Sequence, residues 1–106
     1  MIKYASNGFL ALKISYFNEI AMVCKMLAID DKTVSRGVAL DSRIGTYGVL
    51  GGMPFGGACL PKDTAALTSF LRKLGIRPDL IETAVQINNE IEEMSSHKQI
   101  IHDIDR

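Results

Sequence analysis

The chain has 106 residues, 47% of them hydrophobic and 23% charged, which bounds it to one folded domain with a single modest core and excludes a disordered chain. Twelve basic residues balance twelve acidic ones, so no net field favours nucleic acid or an anionic membrane. No apolar run reaches the ~18 residues of a membrane span, and the opening MIKYASN lacks the basic-then-apolar layout of a signal peptide; the cytosol is the simplest address.

From Ile2 to about Leu27 apolar residues recur at helical spacing, with Phe9, Leu10, Ile14, Phe17, Ile20, Ala21, Cys24 and Leu27 on the main stripe. Tyr4, Leu12, Tyr16, Met22, Val23 and Met26 occupy other faces. A long helix apolar on most sides needs cover on most sides, and a chain of this size cannot supply it, so a partner subunit is expected. Cys24, on the stripe, is a packing residue. Lys3 and Asn7 stand at i and i+4 on one face, with Asn18 further down and Glu19 beside it. A polar stripe ordinarily means a solvated face. In surroundings this apolar, buried polar groups need partners, which a polar ligand can provide.

Asp30 or Asp31 can cap a second helix from Lys32 to about Leu40. LDSRIGTYGVLGGMPFGGACL then brings six glycines and a proline in one short span, a loop long for so small a domain and therefore a functional candidate. Its apolar residues Ile44, Val49, Leu50, Met53 and Phe55 argue against disorder. Pro61 suits the first turn of a third helix, which runs to about Leu74 and is stopped by Gly75. Pro78 opens a fourth, with Leu80, Ile81, Ala84, Val85, Ile87, Asn88 and Ile91 on its stripe before the polar EEMSSHKQ. No strand-like alternation occurs, so the fold class is all-α.

Two cysteines are too few for a disulfide framework, and His97 and His102 sit in the polar tail, so the sequence offers no zinc set. Cys59 adjoins a helix N-terminus, where the helix dipole and nearby Lys62 favour a thiolate. Asp63, four residues on, returns to the same side if the first turn is helical. On these residues alone a cysteine packed under a loop fits Cys59 better than a nucleophile does.

IKYASNGFLALKISYFNEIA, LDSRIG and FGGACLPKD occur in an order and spacing that resemble the central helical domain of the UDP-glucose/GDP-mannose dehydrogenases. In that family the domain joins an NAD-binding Rossmann domain to a C-terminal nucleotide-binding one. LGIRPDLIETAVQINNEI is similar to the helix leading toward the latter, and the likeness covers about Ile2 to Asn89. The resemblance implies an NAD-dependent, two-step oxidation of the 6-hydroxymethyl of a UDP-sugar or GDP-sugar to a carboxylate. By the same resemblance Cys59 matches the nucleophile, Lys3 and Asn7 the groups that steady the oxyanion, and Asp63 the group that activates water. Arg43 matches an arginine reaching substrate across a dimer interface. Phe55, Gly56 and Gly57 match the loop along the sugar nucleotide, and Lys62 a lysine near the cofactor phosphates.

The chain departs from the family pattern at Pro54, where glycine is more usual, and at Gly8, where alanine or threonine is commoner and glycine weakens a helix. It also shows no G-x-G-x-x-G fingerprint. The expectation is a single helical domain over residues 1–106 without the flanking nucleotide-binding domains, pairing as a homodimer and inactive by itself. The alternative is a structural dimerisation module with no catalytic part.

Overall fold

The computed structural model describes residues 1–57 and 59–104, with side chains through Met94; the side chains of His97 and His102 lie outside that set. Helix α1 spans Ile2–Met26, α2 Asp31–Ala39, α3 Cys59–Lys73 and α4 Asp79–Ile104. The described residues contain no strand, and the fold is all-α as the periodicity predicts. Helices α3 and α4 both pack on α1, which is the central strut, while α2 packs on α1 alone, its start sharing a cavity with Ala21, Met22 and Lys25.

The face that α1 turns inward differs from its most hydrophobic one. Gly8, Ala11, Ser15, Phe17, Asn18 and Cys24 are buried, whereas Phe9 and Leu27 of the expected stripe stay 62% and 63% exposed. Small residues win the inner position because they let the neighbouring backbones come close. A Cβ at Gly8 would lie 3.1 Å from Leu67 Cδ2 on α3, so this glycine admits α3 as well as weakening α1. On the α4 side, Ser15 Oγ donates to the Ala84 carbonyl at 2.7 Å, in the stripe Ala84, Asn88 and Ile91.

The helix ends follow from local chemistry. Asp30 caps α2, accepting from Lys32 N–H and Thr33 Oγ1, and the Thr33 hydroxyl, then the Lys32 amide, hold its carboxylate below the usual range. α3 ends in a turn whose Gly75 has φ of 76°, with Ile76 N–H reaching back to the Leu71 carbonyl at 2.9 Å. α1 closes in the same way through Ala28, a non-glycine residue at φ of 54°, with Ile29 N–H on the Cys24 carbonyl at 2.8 Å. Arg72 and Glu82 pair across the α3–α4 turn.

Between α2 and α3 the glycine-rich segment lies against the bundle. Ser35 Oγ donates to the Val49 carbonyl at 2.6 Å, and Lys13 Nζ donates to the Ile44 carbonyl. At Gly51 the segment crosses α1 so closely that a Cβ there would lie 2.3 Å from Ala21 Cβ and 2.7 Å from the Phe17 carbonyl oxygen.

Candidate functional site

Three polar side chains meet where the first half of α1 passes the start of α3. The i, i+4 spacing puts Lys3 and Asn7 on one face of α1, and that face looks at the first turns of α3. Asn7 Nδ2 donates to Asp63 Oδ2 at 2.6 Å, and Lys3 Nζ lies 3.7 Å from Asp63 Oδ1. Asp63 is 2% exposed, while the Lys3 side chain is 64% exposed. A carboxylate taken this far out of water needs hydrogen bonds and an opposite charge, and α1 supplies both. The result is an anchored acceptor, with one oxygen held by an amide and the other beside a mobile cation. Such a carboxylate can orient or deprotonate a water molecule.

Cys59 is the first residue of α3 and is exposed. One helical turn separates it from Asp63, so thiol and carboxylate rise from the same side of the helix. Cys24 is 4% exposed and lies in the core of α1. Thr64, also buried, donates to the Leu60 and Pro61 carbonyls at 2.9 and 3.0 Å; it stiffens the turn that carries both Cys59 and Asp63.

The glycine segment leads into this turn along the chain. Phe55 is buried, whereas Gly56 and Gly57 are exposed. A Cβ at either glycine would meet nothing within 4 Å, and Gly57 has φ of 79°. Their backbone is therefore open to an approaching group. Two asparagines outside the candidate set hold this stretch: Asn18 bonds Gly52 and Met53, and Asn88 bonds Phe55 through both N–H and C=O. Asn18 is visible in the sequence as a polar residue on an apolar helix and Asn88 as an amide inside an apolar stripe. Their partners are not visible, because they lie 33 to 35 residues away along the chain. Phe55 and Asn88 also line a cavity of about 530 Å³ with Pro61, Thr64 and Val85.

Arg43 stands apart from the cluster. Arg43 turns back on Asp41, with Nε and Nη2 donating to the two carboxylate oxygens at 3.0 and 2.7 Å. This fork holds the Asp41 carboxyl below its ordinary range and raises the guanidinium. Arg43 also borders an apolar groove formed by Phe9, Leu12, Tyr16 and Ile44. Lys62 is exposed on α3. Among the described residues no group of three or more His, Cys, Asp or Glu could hold a metal ion, and no helix is long and apolar enough to cross a membrane.

Known proteins share both this sequence and this arrangement of helices. The chain is 46% identical over 89 residues to the UDP-glucose 6-dehydrogenase AglM of Haloferax volcanii, covering 84% of this chain and 21% of that protein. It is 43% identical over all 106 residues to the UDP-glucose 6-dehydrogenase TuaD of Bacillus subtilis, again 21% of the relative. The solved structure of a UDP-glucose dehydrogenase from Pyrobaculum islandicum superimposes with a TM-score of 0.79 at 43% identity, over 84% of this chain and 21% of that one. The chain thus spans about a fifth of the length of these relatives. Residues 1–90 match the profile of the UDP-glucose/GDP-mannose dehydrogenase family, central domain, and with two-fifths identity or more to its members this chain belongs to that family.

Proposed function

We propose that this chain works as the central part of an NAD-dependent sugar-nucleotide 6-dehydrogenase of the UDP-glucose type, and that it contributes the sulfur half of the active site. The observation that carries the reading is the buried Asp63, tied to Asn7, facing Lys3 and one helical turn from an exposed cysteine. A purely structural module has no use for a carboxylate held out of water beside a reachable thiol.

In this reading the 6-hydroxymethyl is first oxidised to an aldehyde. The Cys59 thiolate adds to its carbon, and the alkoxide that forms takes hydrogen bonds from Lys3 and Asn7 before it is protonated. The thiohemiacetal keeps the second C–H bond in place instead of losing the aldehyde to solvent. Loss of a hydride and the hydroxyl proton gives a thioester. Water, deprotonated by Asp63, then attacks the thioester carbonyl, releasing the carboxylate and the thiol. NAD supplies the hydride acceptor. It does not fit this chain by itself: the described residues form four helices with no nucleotide-binding sheet, and Lys62 is a single exposed cation suited to one phosphate contact. The 106 residues alone therefore form no NADH. Gly56 and Gly57, with nothing within 4 Å of where a Cβ would stand, offer backbone N–H groups to the sugar nucleotide. The exposed apolar face of α1 serves a homodimer, and Arg43, at the edge of that face, reaches the site of the second subunit.

The test is stoichiometry and trapping in the full-length protein. UDP-glucose is converted with two NADH formed per acid. Cys59→Ser stops the second oxidation, because a hydroxyl adds to an aldehyde less readily than a thiolate does. Asp63→Asn leaves the adduct and slows its hydrolysis, so a thioester accumulates. A Cys59→Ser variant that forms the acid at the normal rate overturns the mechanism.

A further inference from the structure

Residues 52–55, Gly-Met-Pro-Phe, lie between two buried side-chain amides from two different helices. Gly52 N–H donates to Asn18 Oδ1 at 2.7 Å, and Asn18 Nδ2 donates to the Met53 carbonyl at 2.9 Å. Phe55 N–H donates to Asn88 Oδ1 at 2.6 Å, and Asn88 Nδ2 donates to the Phe55 carbonyl at 3.0 Å. Both amides are almost fully buried, Asn18 on α1 and Asn88 on α4. Between the two held points stands Pro54, which has no N–H to satisfy and whose ring fixes φ.

This is an expensive way to attach a loop. Burying an amide costs free energy unless every polar atom is bonded, and removing one partner leaves the other unsatisfied. Holding the segment against the bundle asks no such thing, since Val49 and Phe55 already bury apolar side chains from it. What the amides add is direction: a carboxamide donates and accepts in one plane, so each fixes the orientation of a peptide unit as well as its position. The segment so oriented runs directly into Gly56 and Gly57, which no side chain crowds, and then into Cys59.

We propose that Asn18 and Asn88 are positioning residues for sugar-nucleotide binding: with Pro54 between them, they set the backbone of Gly56 and Gly57 before substrate arrives, so that binding does not have to order it. The inference rests on the reading of this glycine pair as the substrate-contacting loop. Preorganisation of this kind appears in affinity, because an unordered loop must be fixed at the expense of binding.

The discriminating substitution is Asn88→Asp. It keeps shape and acceptor but loses the donor when ionised, setting a carboxylate oxygen against the Phe55 carbonyl. Protonated, the introduced carboxyl both donates and accepts, and restores the pattern. Binding of UDP-glucose to the full-length protein is measured by calorimetry without NAD, alongside a thermal melt, from alkaline to mildly acid pH, because burial raises the pH at which the introduced carboxyl ionises. Wild type over the same range corrects for the other charged groups, including Arg72, Glu82 and Glu92, which line the cavity beside Asn88, and Lys25, Asp30 and Asp31, which line the one beside Asn18. The expected result is a Kd for Asn88→Asp about tenfold weaker than wild type at the alkaline end, where the buried carboxyl is ionised, recovering on acidification, and the same pattern for Asn18→Asp. Folded variants that bind within twofold of wild type throughout, or that weaken without recovery in acid, overturn the proposal and leave the functional reading intact. A variant that unfolds at neutral pH also counts against it, since the amide then holds the fold rather than the ligand loop. Wild type that does not bind UDP-glucose removes the reading and this proposal together.

Discussion

A methyl group added at residue 51 would sit 2.3 Å from Ala21 Cβ and 2.7 Å from a backbone oxygen of α1. No side-chain rotation relieves the second contact, so the segment itself must lift. Gly51→Ala should destabilise the fold by about 3 kcal/mol, the upper end of overpacking costs, read as a lower midpoint in urea. Gly56 makes the opposite demand. Its Cβ would meet nothing within 4 Å and its φ lies outside the left-handed region, so Gly56→Ala should change stability by no more than about 0.5 kcal/mol. If its N–H approaches the sugar nucleotide as proposed, the same substitution weakens UDP-glucose binding. A Gly56→Ala variant with normal affinity, or a Gly51→Ala variant with unchanged stability, contradicts the corresponding assignment. Sequence composition treats these two glycines alike; only the crossing of segment and helix separates them.

Two helices of the bundle end in the same kind of turn with different residues at its crux. Gly75 takes its positive φ freely, whereas Ala28 pays a steric cost at φ of 54°. Ala28→Gly is expected to raise stability by about 0.5 kcal/mol, the relief of strain being partly offset by a more flexible unfolded chain, and Gly75→Ala to lower it by about 1 kcal/mol. Thermal melts of the two variants should move in opposite directions; two shifts of the same sign refute the comparison. At this scale the sequence was most legible. Asp30 before α2, Pro61 in the first turn of α3, Gly75 after it and Pro78 before α4 each act through bonds within a few residues, so all four boundaries could be read. The inward face of α1 could not. Hydropathy selects Phe9 and Leu27, but closeness of approach selects Gly8, Ala11 and Ser15, and closeness depends on what the other helices bring. The candidate site divides the same way: Cys59 with Asp63 and Lys3 with Asn7 are single-turn pairs, readable by counting, while the meeting of the two pairs is a property of packing.

For the whole molecule the unresolved demand is the outer face of α1. Phe9, Tyr16 and Val23, seven residues apart and so along one side of the helix, are 62%, 56% and 49% exposed, a row of apolar side chains of the kind that marks an interaction surface. The proposed homodimer covers it. Sedimentation velocity at micromolar concentration should show a dimer, and Tyr16→Glu should give a monomer whose helical spectrum is unchanged; a wild-type monomer at those concentrations excludes the arrangement. The amide clamp on the loop carries a different consequence, one of timing. Asn88 follows Phe55 by 33 residues, so α4 is synthesised after the loop it holds. At about 5–20 residues per second on the ribosome, the loop and the cysteine beyond it are made roughly 1.5 to 7 seconds before the residue that holds the loop. A nascent chain stalled before α4 would carry the exposed cysteine beyond a loop not yet fixed, so the synthesis of α4 sets the moment at which the clamp can close.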